Sequence, residues 1–347
     1  MSGLPALAAA VTFRVPDPEG RLAGVRLRPE IPVSREDFQR DGDAGWALVI
    51  DRPPVNRMEY LLEFRYPDGR TQTGTDTGNP RLAAGAFGEK SVLEFPGYAP
   101  PDWLTAPAET GIVYDFERVL DYRLWAPSDA GDAEHLPLLV VHDGPEYDER
   151  ANLIQYVAAG VARNRLPRMR VALLRPADRN RQYSASVRYA DTLQHALDFL
   201  PSRPKIGMGT SLGALAMLHT HCRHPRLFDA MFLQSGSYFS PLLDAQERRF
   251  PYFWRIAEFV AGAEFTRPVP VALTCGAVEE NLPNNRLITE RLRARGYPAA
   301  LHEVPDAHNY TAWRDAFDPH LTRLLQECAG EHSPLWPLRP PGARLPD

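Results

Sequence analysis

The stretch KIGMGTSLGALAMLH, from Lys205 to His219, decides the fold. Its first part is short, apolar and β-like. Its second part, from Leu212 onward, is a strong helix former. Between them lies Gly209-Thr210-Ser211-Leu212-Gly213, a G-x-S-x-G. At ordinary glycine and serine usage this pattern arises by chance in roughly one chain in ten of this length, so the pattern alone decides nothing. The context does. Strand, tight turn and helix in succession form a nucleophile elbow. A side chain at Gly209 or Gly213 is expected to crowd the turn that lifts Ser211 above the sheet. The following helix aims its N-terminus at the serine, where free N–H groups and the positive dipole end favour a developing oxyanion.

The same reading extends outward. LPLLVVHDG (Leu136–Gly144), MRVALLRPA (Met169–Ala177), FDAMFLQSG (Phe228–Gly236) and PVPVALTCG (Pro268–Gly276) are runs apolar on both faces, as buried parallel strands require. Helices are expected between them at Ala151–Arg163, Val187–Leu200, Leu212–His221, Gln246–Gly262, Asn285–Arg295 and Thr311–Cys328. The alternation predicts an α/β-hydrolase-like, doubly wound, mostly parallel sheet over residues 106–330. The first hundred residues differ. AAVTFRVPDPEG, GVRLRPEI, GWALVIDRPP and RMEYLLEFRYPDGR are strand-like runs with turn signals, and Pro67-Asp68-Gly69 predicts a hairpin. They predict a small β-sandwich domain over 1–105. The Pro-rich stretch Glu94–Pro107 is the expected hinge, and the Pro-rich tail 331–347 is expected to be loose.

Composition narrows the function. At 347 residues the chain suits two domains. A net charge of -5 argues against nucleic acid or an anionic membrane as partner. Cys222, Cys275 and Cys328 are odd in number and widely spaced, which predicts neither a disulfide framework nor a zinc site. The N-terminal MSGLPALAAAVTFRV has no basic segment and only a short apolar run. It predicts no signal peptide and no transmembrane helix, with the cytoplasm as default location.

A serine hydroxyl needs a base to take its proton. His219, His221 and His224 continue the helix away from the serine, and their spacing does not share one face, so neither a base nor a metal site is expected there. His302 reads as structural, and His142, beside Asp143-Gly144, as at best adjacent to the site. His308 lies on a loop after the strand-like AALHEV and before a helix, where hydrolases of this architecture keep their base. The acid that orients it belongs between serine and histidine in chain order. Glu279, past the strand ending at Gly276, is the first choice, with Glu280 the alternative. An oxyanion hole needs two backbone donors. Leu212 supplies one, and the loop at Asp143 or Gly144 the other, since Pro145 has no N–H.

These residues resemble the enterochelin (enterobactin) esterases, a branch of the esterase-D-like α/β-hydrolases. The resemblance covers most of the chain. The family's GQSFGGL is GTSLGAL here, and its SQSGSYWW is LQSGSYFS, Leu233–Ser240. Its histidine motif becomes Asp306-Ala307-His308-Asn309 with Trp313-Arg314, and its DG…W turn becomes Asp143-Gly144 with Tyr147. Arg179 matches a family arginine, although Gln182 stands where the family has glutamate. GTDTGNPRLAAGAFGEKSVLEFPGYAPP resembles the end of the family's N-terminal β-sandwich. The resemblance implies hydrolysis of the ester bonds of a cyclic catecholate trilactone, a small-molecule (ferric siderophore) substrate, inside the cell and without a metal or organic cofactor. It implies Arg179, Tyr147, Trp313 and Arg314 as substrate contacts, the two arginines equally suited to structural ion pairs. Phe239, Ser240, Ala307 and Gln182 depart from the pattern, which makes the catalytic class firmer than the substrate.

Three other readings stand beside this one. Feruloyl and other phenolic or short-chain acyl esterases share the architecture. Related mycolyltransferases pass the acyl group to an alcohol. A binding protein for a sugar or siderophore, with a decayed hydrolase domain, is the reading outside enzymes, and an intact serine, base and acid argue against it.

Overall fold

The computed structural model describes residues 10–85, 88–117, 120–131, 134–198, 200 and 202–330. The expected loose tail 331–347 and the first nine residues lie outside them. The chain divides into two compact units. One comprises residues 1–99 together with Pro305–Tyr310, and the other residues 100–304 and 311–347.

The first unit is antiparallel throughout. Its strands are β1 (Ala10–Pro16), β2 (Gly24–Pro29), β3 (Gln39–Asp41), β4 (Gly45–Asp51), β5 (Arg57–Arg65), β6 (Thr71–Gly74), β7 (Leu82–Gly85) and β8 (Gly88–Glu94). They form a sheet in the order β1-β4-β3 and a second in the order β2-β5-β8-β7, with β6 also on β5. The predicted Pro-Asp-Gly turn joins β5 to β6. Gly69 has φ +84 there, and the Asp68 carboxylate accepts the Arg70 N–H at 2.9 Å. The aromatic rings of Phe13 on β1 and Tyr60 on β5 meet edge to face at 5.2 Å, so the two sheets share one core.

That core also holds charge. Arg57 and Glu59 on β5 are 3% and 2% exposed and bonded at 3.2 Å, and Lys90 lies 3.5 Å from both Glu59 and Glu30. Burial, then the negative charge of Glu59, raises the Glu30 carboxyl from 4.5 to about 7, against the pull of Lys90 and with a smaller push from Asp306. A folded-state pKa above the unfolded one gives stability that is complete below about 4.5 and lost as pH rises through about 7. The melting temperature of the wild type relative to Glu30→Gln is therefore expected to fall by a few degrees between pH 5 and pH 8. Thermal melts of both proteins across that range check this. An unchanging difference would contradict it.

The second unit carries a mixed, mostly parallel sheet. Its strands are β9 (Gly111–Glu117), β10 (Asp121–Pro127), β11 (Leu138–Val141), β12 (Arg170–Arg175), β13 (Lys205–Thr210), β14 (Ala230–Gln234), β15 (Val271–Gly276) and β16 (Ala299–Val304). The order is β16-β15-β14-β13-β11-β12-β10-β9. β12 through β16 run parallel, while β9 and β10 are antiparallel additions. Every residue of β11, β13, β14 and β15 is buried, so both faces of the sheet are covered. The strand order reverses at β11, between β12 and β13. Such a switch point opens a crevice at the carboxyl ends of the strands.

The helices are α1 (Gly144–Ala151), α2 (Leu153–Ala162), α3 (Arg179–Tyr183), α4 (Val187–Asp198), α5 (Leu212–Arg223), α6 (Phe253–Gly262), α7 (Leu282–Ala294), α8 (Tyr310–Asp315) and α9 (Thr322–Ala329). Two expected helices are broken by proline, which pushes the preceding residue out of the helical region. Gln246–Gly262 divides into a 3₁₀ turn and α6 because Phe250, before Pro251, is extended at ψ 128. Thr311–Cys328 divides because Asp318, before Pro319, has ψ 120. The expected Ala151 start shifts to Leu153, since Asn152 ends α1 with φ 52. α7 begins at Leu282, ahead of the expected Asn285, with Pro283 in its first turn. Among the described residues, no helix is long and apolar enough to cross a membrane.

Candidate active site

The site starts from Ser211. β13 delivers it and α5 begins at the next residue. Its backbone has φ 53 and ψ -122, a conformation that side chains other than glycine rarely adopt. Besides the Leu215 N–H, which donates to Ser211 O at 3.2 Å as α5 begins, bonds from neighbouring elements hold it there. The Ser211 N–H donates to Gln234 O at 2.9 Å, and the Ser237 N–H donates to Ser211 O at 3.1 Å. The two hydroxyls, Ser211 Oγ and Ser237 Oγ, lie 3.0 Å apart. The turn is tight at Gly209, where a Cβ would stand 2.5 Å from the backbone C and O of Gly213. Gly213 is less constrained than the sequence suggested, since its closest prospective contact is His142 Cβ at 3.0 Å.

Leu212 opens α5 and Gly144 opens α1. First-turn amides of a helix lack intrahelical partners, and helix N-termini of this kind favour anions. The neighbouring Asp143 is different. Its N–H donates to the Tyr183 hydroxyl at 3.2 Å. Glycine is required at 144 because a Cβ would lie 2.2 Å from Leu173 Cα. Strand pairing brings this loop beside the elbow: Val141 registers with Met208, and the His142 N–H donates to Met208 O at 2.9 Å.

Glu279 sits on the turn after β15 and is 9% exposed. Its Oε1 accepts the Ser235 hydroxyl at 2.7 Å and the Gly276 N–H at 2.7 Å. Ser235, itself at φ 47, accepts the Trp313 indole N–H at 3.0 Å. Glu280, by contrast, is exposed and accepts from Gln246 at 3.2 Å. His308 follows Val304, the end of β16, by four residues and belongs to the 305–310 segment of the first unit. Its side chain is exposed between buried neighbours.

The other histidines have separate environments. His142 is fully buried against the Gly213 carbonyl at 2.8 Å, and burial, aided by the Arg179 charge, lowers it to about 4. His219 packs on the Phe259 ring, His221 bonds Arg267 O and the Tyr297 hydroxyl, and His224 bonds Asp191. Burial lowers His219 and His221 to about 4. A base is most effective with a pKa near the working pH, so none of these three buried rings suits that task.

The four expected substrate contacts each have partners within the protein. Tyr147 is wholly buried and its hydroxyl donates to Gln234 Oε1 at 2.8 Å, which makes it part of the core. Trp313, 6% exposed, spends its indole N–H on Ser235. Arg179 grips the Asp143 carboxylate through three bonds of 2.8–3.0 Å, the bidentate structural pair that its geometry favours. Arg314 bonds the adjacent Asp315 at 2.7 Å and is only 16% exposed. Residues that the sequence reading left without a role hold the site instead. Gln234 bridges Tyr147, Thr274 Oγ1 and Trp313 O, while Ser235 and Ser237 brace Glu279 and Ser211. Their signal lay in LQSGSY, a polar run ending an otherwise apolar strand.

No family model matches the chain, and no curated protein matches it in sequence. Solved structures do resemble it. The enterobactin esterase of Shigella flexneri, solved in the presence of enterobactin, has a TM-score of 0.71 at 19% identity, over 91% of this chain and 93% of that one. The ferric enterobactin esterase of Salmonella typhimurium has a TM-score of 0.69 at 17% identity, over 91% and 93%. A ferulic acid esterase has a TM-score of 0.50 at 15% identity, over 62% of this chain and 98% of its own. Along nine-tenths of its length, the chain has the fold of the enterobactin esterases.

Proposed function

We propose that the chain is a serine ester hydrolase acting through Ser211, His308 and Glu279. The observation that carries this reading is the strained backbone of Ser211, φ 53, between a buried strand and a helix N-terminus. Such strain persists only where the surroundings impose it, and here it lifts a hydroxyl over the carboxyl edge of the sheet.

In this mechanism His308 takes the Ser211 proton as Oγ attacks the ester carbonyl carbon. The carbonyl π pair moves onto oxygen, and the Leu212 and Gly144 N–H groups receive the resulting oxyanion. The C–O bond to the alcohol then breaks, and the alcohol leaves with the proton from His308. Water repeats the sequence on the acyl-enzyme, releasing the acid and restoring Ser211. Glu279 orients the imidazole and stabilises its protonated form. Chain order Ser211, Glu279, His308 supports the assignment, as does the inward setting of Glu279 against the outward Glu280. Glu279→Ala is expected to lower kcat by about 10²–10⁴-fold but leave measurable turnover, with Glu280→Ala within about twofold of wild type. Steady-state kinetics on an activated ester checks the pair, and the reverse ranking would transfer the role.

The substrate we favour is a catecholate trilactone of the enterobactin type. What supports it is the extent of the likeness: enterobactin esterases align over 91% of the chain, whereas the ferulic acid esterase aligns over 62%. The test is mass-spectrometric product analysis after incubation with iron-loaded trilactone, with Ser211→Ala as control. Linear trimer, dimer and monomer are expected from the unmutated protein alone. An untouched trilactone would overturn the substrate and move the search to phenolic and short-chain acyl esters. Ester products formed with an added alcohol would indicate acyl transfer.

A further inference from the structure

The immediate neighbours of His308 on its loop are buried while its own side chain is exposed. Asp306, Ala307 and Asn309 are 5%, 2% and 5% exposed. The loop's bonds on either side of the histidine come from residues 30–57, far earlier in the chain. Before the histidine, the Asn56 N–H donates to Pro305 O at 2.7 Å. After it, Arg57 Nη1 donates to Asn309 Oδ1 at 3.2 Å, and Asn309 Nδ2 donates to Glu30 Oε1 at 2.9 Å. The same Nδ2 reaches Asp306 Oδ1 at 3.3 Å, which also accepts the Ala307 N–H at 2.8 Å. The loop is thus tied on both sides of the exposed His308.

The chemistry of the tie is specific. A carboxamide has an acceptor end and a donor end. Arg57 meets the first and Glu30 the second, so the amide plane of Asn309 has one satisfied orientation. Arg57 is fixed in turn by Glu59, and Glu30 Oε1 accepts the Glu59 N–H at 3.1 Å. Burial opposes the charge on Arg57, but Glu59 and Asp306 outweigh it and keep it firmly protonated. A buried ion pair of this kind adds little net stability over apolar residues of similar volume. What it supplies here is geometry.

We propose that the N-terminal unit positions the histidine: Asn56, Arg57 and Glu30 set the conformation of the 305–310 loop, and through Asn309 they hold His308 in its working orientation. This rests on the reading of His308 as the base, to which the four residues are positioning residues. A base displaced by about 1 Å costs on the order of a hundredfold in rate.

The test measures kcat and KM for p-nitrophenyl butyrate, together with thermal melts. The variants are Asn309→Ala, Arg57→Lys, the double variant Arg57→Met with Glu59→Leu, and His308→Ala in parallel. The double variant removes Arg57's bond to Asn309 Oδ1 while filling the space with apolar groups, so it is expected to fold. Asn309→Ala and the double variant are each expected to lose about 10–100-fold in kcat with KM within about twofold, and Arg57→Lys to fall between them and wild type. A role in folding alone would lower the melting temperature and spare kcat of the folded enzyme. Wild-type kcat in the folded double variant, with His308→Ala inactive, would overturn the positioning role. Full activity in His308→Ala would overturn the base assignment and the proposal with it.

Discussion

Ser211→Ala is expected to lower kcat for ester hydrolysis by about 10⁴–10⁶-fold, and His308→Ala by a similar factor. The two act in one proton transfer, so the double variant should be no slower than either single one. The loss should be chemical and not structural. Alanine keeps the Cβ of serine and therefore the same backbone strain at φ 53. What disappears is the hydroxyl contact with Ser237 at 3.0 Å, a bond of the size that contributes about 1 kcal/mol. Melting temperatures near wild type with turnover gone would be the signature, read on p-nitrophenyl butyrate and on the trilactone. Full turnover in Ser211→Ala would sink the mechanism.

The second large effect is on stability. Gly209→Ala is expected to destabilise the protein by more than about 3 kcal/mol, beyond the usual cost of overpacking. The added methyl would lie 2.5 Å from the backbone C and O of Gly213 and 2.9 Å from Ala214 N. These are backbone atoms of α5, so relief requires the helix to move off β13, and interiors are too densely packed to allow that cheaply. Gly213→Ala meets His142 Cβ at 3.0 Å and Asp143 Oδ2 at 3.5 Å. Those are side-chain atoms with some room to give, so a cost nearer 1 kcal/mol is expected. Urea denaturation of both variants tests the difference. An unchanged midpoint for Gly209→Ala would contradict the packing described for the turn.

What was legible in the sequence was local. The elbow could be read because strand, glycine, serine and helix fall within fifteen residues, Lys205–His219. The parallel sheet could be read because each buried strand is apolar on both faces. Loop positions for Glu279 and His308 followed from strand ends. The misplacements concern side chains whose direction depends on distant partners. Tyr147 was singled out by the resemblance alone, and its hydroxyl turns inward to Gln234, 87 positions later. Arg179 suited a substrate contact and a structural ion pair equally, and its partner Asp143 lies 36 positions earlier. Arg57 and Asn309 are 252 positions apart, and no periodicity spans such a gap. Pro251 and Pro319 each interrupt a stretch whose apolar spacing is otherwise helical, so the spacing alone overstates both helices.

The discontinuity of the first unit has a bearing on ancestry and on engineering. A domain appended as a bead can be trimmed, exchanged or acquired by one cut in the gene. This one cannot. Its residues 1–99 are completed by Pro305–Tyr310, a segment spliced between β16 and the body of α8. Recombination at the Pro-rich junction would carry off the strands and strand the hexapeptide among foreign neighbours. A chimera that borrows the first unit from this chain therefore has to borrow the histidine loop with it.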